Sequence, residues 1–494
     1  MNTTHNHALH RFSGLIALLL VLSGCAVGPH YERPAQDVPA VFKEARLTPE
    51  AARHWKAAQP AEALTRGRWW EIFNEPLLDK LEDQALAANQ NLKAAAARVE
   101  QSRALQRNAK AARFPTLDAG FGPSRQRASN ASLGLSDDAA NSPETLWRAQ
   151  LGVSYEADLF GRVAATVDAA QADTLQSTAL FESLRLALQA DVAQNYFLIR
   201  RLDAEQELLA HTVALRAKTL DLIEQRYRLG EISELDQARA RTELSTARAQ
   251  ALGITRQRVA AEHGLAILLG EPPSEFSVAP APISRVNAQI PAGLPSSLLE
   301  RRPDIAAAEY AMAAANARVG AAKAAFFPRL TLTGGFGYES SGLGELFNWG
   351  SRAFLLGPLI GTALTLPIFD GGARTAQMDN ARARYTEDVA NYRQTVLQAF
   401  REVEDSLSGL RILTEQTAVQ DQALVSAERA AHLSRTQYRE GSIAYLDVID
   451  ADRAVLQQQL ATVRLDGERA ALAVDLVRAL GGGWSVQVAA TNLN

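Results

Sequence analysis

Between Tyr385 and Leu413 the apolar side chains recur at a steady interval: Tyr385, Val389, Tyr392, Val396, Phe400, Val403, Leu407, Leu410 and Leu413. Eight steps over 28 residues give a mean spacing of 3.5, the period at which a helix keeps one seam against a partner helix. Leu184, Leu188, Val192, Ile199, Leu202, Leu209 and Val213 form a similar stripe. Both stripes lie in very long helical runs, 163–229 and 373–440, each closed by a glycine, Gly230 or Gly441; helix C-termini favour that residue. At 1.5 Å per residue such runs are roughly 100 Å long. Return helices are expected at 235–269 and 445–480, and leading helices at 77–113 and 303–326. The leading helices stop near Phe-Pro, where the residue before proline leaves helical geometry. The stripes establish that long helices pair, not what the pairing is for.

A second pattern alternates. In "LWRAQLGVSYEADLF", Trp147, Ala149, Leu151, Val153, Tyr155, Ala157 and Leu159 share one side; Arg148, Gln150, Ser154, Glu156 and Asp158 share the other. Side chains alternate across a strand, so this strand has an apolar face and a polar face. "PRLTLTGGFGYES" repeats the pattern, and "PTLDAGFGPSR" follows it more weakly. The expected strands are 115–128, 146–160, 328–340 and 353–369. Lipid outside and water inside would produce such faces, and so would a half-exposed soluble sheet. Four strands cannot close a barrel, and an open edge cannot stand in lipid. Closure in a membrane would take strands from several chains.

The chain is internally duplicated. "RYRLGEISELD" (226–236) matches "QYREGSIAYLD" (437–447), "AKAARFPTL" (109–117) matches "AKAAFFPRL" (322–330), and "DLFGR" (158–162) faces "FDGGAR" (369–374). A repeat of domain size differs from a solenoid repeat of roughly 20–50 residues. The expected organisation is a signal peptide at 1–24, a lipidated extended segment at 25–76, a first repeat at 77–270, a Pro-rich linker at 271–302, a second repeat at 303–482 and a tail at 483–494.

Composition narrows the function. The net charge of −4 lacks the basic footprint of a nucleic-acid binder. The single cysteine, Cys25, excludes an internal disulfide. It follows a short apolar run, "LIALLLVL", which is too short to span a bilayer and fits a signal peptide. "LSGC" resembles the bacterial lipobox, in which the thiol takes a diacylglycerol and the signal is cut before the cysteine. The alternative is a chance cysteine beside an ordinary signal. Ala26, in place of Asp, favours sorting to the outer membrane by the same analogy. Two or three acyl chains on one cysteine anchor stably.

"CAVGPHYERP", "ADLFGR", "RRPDIAAAEYAMAAANARVGAAKAAFFPRLTLTGGFG", "GPLIGTALTLPIFDGG" and "YREGSIAYLDVIDADR" together resemble the TolC-like outer-membrane factors, and within them the lipoprotein branch typified by OprM and NodT. The resemblance implies a mainly α protein with membrane β: a homotrimer whose long helices form an α-barrel and whose chains give four strands each to one twelve-stranded β-barrel. It implies the exit duct of a tripartite pump of the resistance-nodulation-division type. Its partners are then a periplasmic adaptor, an inner-membrane transporter and outer-membrane lipid, with no cofactor beyond the lipid on Cys25.

The same resemblance assigns the adaptor-docking tip to Arg228, Leu229, Gly230, Gly441 and Ser442, and a periplasmic gate to Leu446, Asp450 and Arg453; Asp447 joins that gate by helical spacing, on one rough stripe with Asp450 and Arg453. Ordinary turn chemistry accounts for the glycines as well, and an exposed i, i+3 ion pair accounts for Asp450 and Arg453. No G-x-S-x-G, H-E-x-x-H, P-loop or G-x-G-x-x-G is present, and the histidines outside the signal (His30, His54, His211, His263, His432) share no metal-ligand spacing. An enzyme is therefore not expected. A coiled-coil envelope tether would leave the strands without a purpose, and a type I protein-secretion duct differs only in cargo.

Overall fold

The computed structural model describes residues 27–34, 38–39, 42–44, 68–283, 285, 301–356 and 364–482. The expected signal, Cys25 and the tail 483–494 lie outside the described residues. Secondary structure runs α1 (Pro76–Ala88), α2 (Gln90–Ala111), β1 (Thr116–Gln126), β2 (Glu144–Ala157), α3 (Arg162–Arg228) and α4 (Glu234–Leu268). The second repeat gives α5 (Pro303–Ala324), β3 (Arg329–Ser340), β4 (Arg352–Leu356), β5 (Leu364–Thr365), α6 (Ala373–Arg439) and α7 (Tyr445–Ala479). No helix among the described residues is long and apolar enough to cross a membrane.

The expected single helix at 77–113 is two helices. Asn89 sits between them in non-helical backbone, with ψ 125°. Its side chain accepts the Leu92 N–H at 2.9 Å, capping α2, and donates to Leu268 O at 2.9 Å. One residue thus starts one helix and satisfies a carbonyl at the end of another. The expected strand 353–369 is present as β4 and β5, with 357–363 outside the described residues. The two are not in one register. A ladder continued from Tyr338↔Arg352 would set Arg329 against residue 361, and it faces Thr365 instead.

Contacts divide the chain into two compact units. The first comprises Met1–Pro34, Val99–Ser177 and Ala308–Tyr392 and holds the antiparallel sheet, in the order β1-β2-β3-β4 with β5 also on β3. The register puts Leu117 opposite Val153, and Leu151 opposite both Ala119 and Phe336, on one face. Leu117, Phe121, Leu151, Val153, Leu332 and Phe336 on that face are exposed. The other face is polar. Arg148 stands directly across from Glu339, Nε to Oε2 at 2.6 Å. The N-terminal residues 28–34 pack in the same unit: Asn316 donates to Pro29 O at 3.2 Å, and Arg33 pairs with Glu309.

The second unit comprises Ala35–Arg98, Thr178–Ala307 and Arg393–Asn494. The apolar stripes form its seams: Val192, Ile199, Leu202 and Leu209 of α3 and Val396, Val403 and Leu407 of α6 are buried. Buried charge ties the start of the linker to these helices. Arg258 donates to Asp203 Oδ1 and to Val278 O, each at 2.6 Å, while Asp203 also accepts the Ala281 N–H at 3.1 Å. Asp203 and Arg258 thus compensate each other's buried charge, as burial demands.

Candidate functional site

The long helices end alike. In the first repeat Gly230 takes φ 75°, its N–H donates to Tyr227 O at 2.9 Å, and Glu231 N–H donates to Arg226 O at 3.0 Å. In the second, Gly441 takes φ 75°, its N–H donates to Tyr438 O at 3.0 Å, and Ser442 N–H donates to Gln437 O at 3.0 Å. This pair of bonds is the Schellman closure, which needs a left-handed residue just past the helix. The chain then turns back within a few residues. Ser233 caps α4 by accepting the Asp236 N–H at 3.3 Å. Ala444 stands at the matching place in the second repeat, and there Asp447 accepts the Ala444 N–H at 3.0 Å.

Below the turns α3, α4 and α7 share an apolar cluster of Ile223, Ala240, Tyr445, Val448 and Ile449. Tyr438 of α6 joins it, its ring 5.6 Å from that of Tyr445. Burial there pushes the Tyr445 phenol up to about 12.

Beside this cluster lies a charged clamp. Arg453 of α7 donates from Nε to Glu243 Oε1 of α4 at 3.0 Å, and from Nη1 to Asp450 Oδ1 at 3.2 Å. Arg216 of α3 reaches the same glutamate, donating to Glu243 O at 3.0 Å and pairing with its carboxylate. The Glu243 side chain is only 8% exposed, whereas those of Arg453 and Asp450 are 51% and 61% exposed. Glu243 therefore carries the desolvated part of the clamp, held by two guanidinium groups from different helices.

Of the residues singled out in the sequence, Asp450 and Arg453 come together. Leu446 is partly exposed one turn before Asp450. The Asp447 carboxylate is engaged at the start of α7 rather than in the clamp. Arg228 donates to Glu224 O of its own helix at 3.2 Å, and Ser442 Oγ donates to Gln437 O at 2.9 Å. Leu229 is 74% exposed at the turn. Glu243 and Arg216 were not singled out. The available signal was a charge inside an apolar stripe, since Glu243 lies among the buried Ala240, Leu244 and Ala247. Among the described residues no group of three or more His, Cys, Asp or Glu side chains is arranged to hold a metal ion.

Two helical hairpins, each closed by a glycine, are thus bridged by ions. The solvent efflux pump outer membrane protein SrpC of Pseudomonas putida is 36% identical over 472 residues, covering 95% of this chain and 97% of SrpC. The cation efflux system protein CusC of Escherichia coli is 31% identical over 468 residues, covering 94% and 97%. The solved outer-membrane channel OprN superposes with a TM-score of 0.84 at 28% identity, covering 93% of this chain and all of that one. The family model for outer membrane efflux proteins matches residues 81–271 and 294–482, one span for each repeat. The chain belongs to the outer membrane efflux protein family.

Proposed function

We propose that the chain is the exit duct of a tripartite efflux pump, working as a passive homotrimer in the outer membrane, anchored by lipid on Cys25. The observation that carries this reading is the open sheet. Among the described residues β1 bonds only to β2, and β4 and β5 bond only to β3. Unpaired edges cannot stand in hydrocarbon, and the smallest outer-membrane barrels have about eight strands. Other copies of the chain must therefore close the barrel, and three copies make a family-sized one. The exposed apolar face of the strands then meets lipid, and the face carrying Arg148 and Glu339 lines the water-filled side.

The clamp on Glu243 serves as the lock of the closed tip. Leu446, Asp450 and Arg453 line the gate, while Asp447 holds the start of α7. The turns bearing Arg228, Leu229, Gly230, Gly441 and Ser442 dock a periplasmic adaptor, which couples the duct to an inner-membrane transporter. Adaptor binding opens the tip by favouring the open state over the closed one. The duct needs no catalytic group. SrpC is named for solvent and CusC for cations, so one architecture serves unlike cargo and selection belongs to the transporter. The cargo class proposed here is small molecules, drugs included.

Planar-bilayer conductance and native mass spectrometry of the detergent-extracted protein test the reading together. A trimer with small currents that rise in Glu243→Gln is the expected result. A monomer without current would overturn it.

A further inference from the structure

The apolar face of the sheet in the first unit carries charge at one end. Directly paired residues share a face, so the register assigns each strand position to one side or the other. Among the described strand residues two charged side chains fall on the side of Leu151 and Phe336: Arg125, opposite Thr145, and Arg352, opposite Tyr338. No carboxylate of those residues shares that side. Both arginines stand where the loops 127–143 and 341–351 join the strands, at the end away from the helices. They also occupy the two flanks of the sheet, on β1 and β4.

Neither arginine is neutralised among the described residues. Arg125 is exposed, and its guanidinium has no ion-pair or hydrogen-bond partner there. Arg352, also exposed, donates from Nε to Trp349 O at 2.7 Å and lies 3.2 Å over the centre of the Trp349 ring, with its Nη groups unbonded. The carboxylates at this end lie elsewhere. Glu144 and Glu339 fall on the opposite face by register, and Glu339 is taken by Arg148. Asp137, Asp138 and Glu345 belong to the connecting loops and make no ion pair with either arginine. Arg127, just past β1, adds a third exposed cation near that rim.

An arginine on a lipid-facing surface is costly at the bilayer midplane and tolerated near the interface. The exposed Trp349, and Trp147 stacked on Phe121 with centroids 6.0 Å apart, mark this end as the headgroup level, where such rings collect. A ligand that engages both the arginines and the apolar surface beside them carries an anion and acyl chains together. Free phosphate engages the guanidinium groups alone, and an uncharged lipid engages the apolar surface alone. Guanidinium meets phosphate through two parallel hydrogen bonds, so a phosphorylated lipid fits both. Closure of the barrel by further copies sets β4 of one chain beside β1 of the next, and each seam then gathers one Arg352 and one Arg125 at the same rim. Cations brought together there repel, and an anion between them removes the repulsion.

We propose that the loop end of the sheet binds phosphorylated lipid of the outer leaflet through Arg125 and Arg352, at the seam between adjacent copies. The seam rests on the duct reading; the phosphate preference of the two arginines does not. The test is native mass spectrometry of the full-length protein in detergent, titrated with bisphosphorylated lipid A and, separately, with dephosphorylated lipid A. Wild type and the double variant Arg125→Lys/Arg352→Lys are expected to hold the phosphorylated lipid more tightly than the other. Arg125→Gln/Arg352→Gln should weaken that binding about tenfold. Arg329→Gln removes the same charge from the opposite face, near the helices, and should bind like wild type. The trimer mass in the same spectra shows that each variant is assembled. Equal binding of the two lipids by wild type, or binding unchanged in the double Gln variant, would overturn the proposal and leave arginines that only reach water. An equal loss in Arg329→Gln would overturn it as general charge attraction. Displacement of the lipid by equimolar inorganic phosphate would overturn the lipid part. A single-chain mass that still discriminates between the lipids would overturn the seam. Conductance of the same preparation reports separately on the duct.

Discussion

Arg453 and Glu243, 210 residues apart in sequence, join α7 to α4 through a 3.0 Å hydrogen bond. The contact is asymmetric in its surroundings. The glutamate is buried and shared with Arg216, while the arginine also reaches the exposed Asp450. Hydrogen bonds to charged groups contribute about 1.5–3 kcal/mol, and exposed i, i+3 pairs about 0.3–0.5 kcal/mol. Glu243→Gln should therefore raise open-channel probability by roughly one to two orders of magnitude, and Asp450→Asn by less than about threefold. Single-channel recording decides between them; equal effects would remove Glu243 from the lock.

Gly337 of β3 faces Gln150 of β2, and a methyl group there would run into the Ala149 carbonyl and the Gln150 Cα. Gly335, two residues away and on the same face, has open space around it. Gly337→Ala should sharply lower the amount of assembled protein in the outer membrane, and Gly335→Ala should leave it near wild type. Semi-native gel analysis of membrane fractions gives both amounts. Equal levels would mean that the strands separate more easily than their register indicates.

The long helices were legible because their signals are local: a 3.5-residue period and a glycine that closes each run. Gly230 and Gly441 do at φ 75° what their positions in the repeats implied. Signals that act at a distance were not legible. The sequence from Leu92 to Val99 keeps a helical character that runs smoothly back through Asn89, and the break there depends on Leu268 O. The clamp was half visible. Asp450 and Arg453 share one helix and could be paired by spacing, whereas Glu243 needed the fold to bring α4 beside α7.

Gly270 and Gly230 separate two costs. Both take left-handed backbone, at φ 72° and 75°. A Cβ at Gly230 meets nothing, while one at Gly270 would lie 2.7 Å from Ala88 O. Gly230→Ala should cost only the left-handed penalty, about 1–2 kcal/mol. Gly270→Ala adds a backbone clash and should cost clearly more. Thermal midpoints of the two variants, measured side by side, are expected to fall in that order. The reverse order would show that the turn at Ala88 yields freely.

Glu82 of α1 makes stability depend on pH. It is fully buried and its carboxylate oxygens have no hydrogen-bond partner among the described residues. Burial, reinforced by the negative charge of Asp83, pushes its carboxyl up to about 9 from an ordinary value of 4.5. The folded protein therefore keeps Glu82 protonated at neutral pH, and the unfolded chain ionises it. Stability from this group is complete below the unfolded value and is lost as pH rises from there through the folded value. The limiting slope is about 1.4 kcal/mol per pH unit. Glu82→Gln fixes a neutral side chain of similar shape. Its thermal midpoint should match wild type near pH 4 and exceed it increasingly between pH 5 and 8. A constant difference across that range would mean that Glu82 ionises in the folded state after water reaches it.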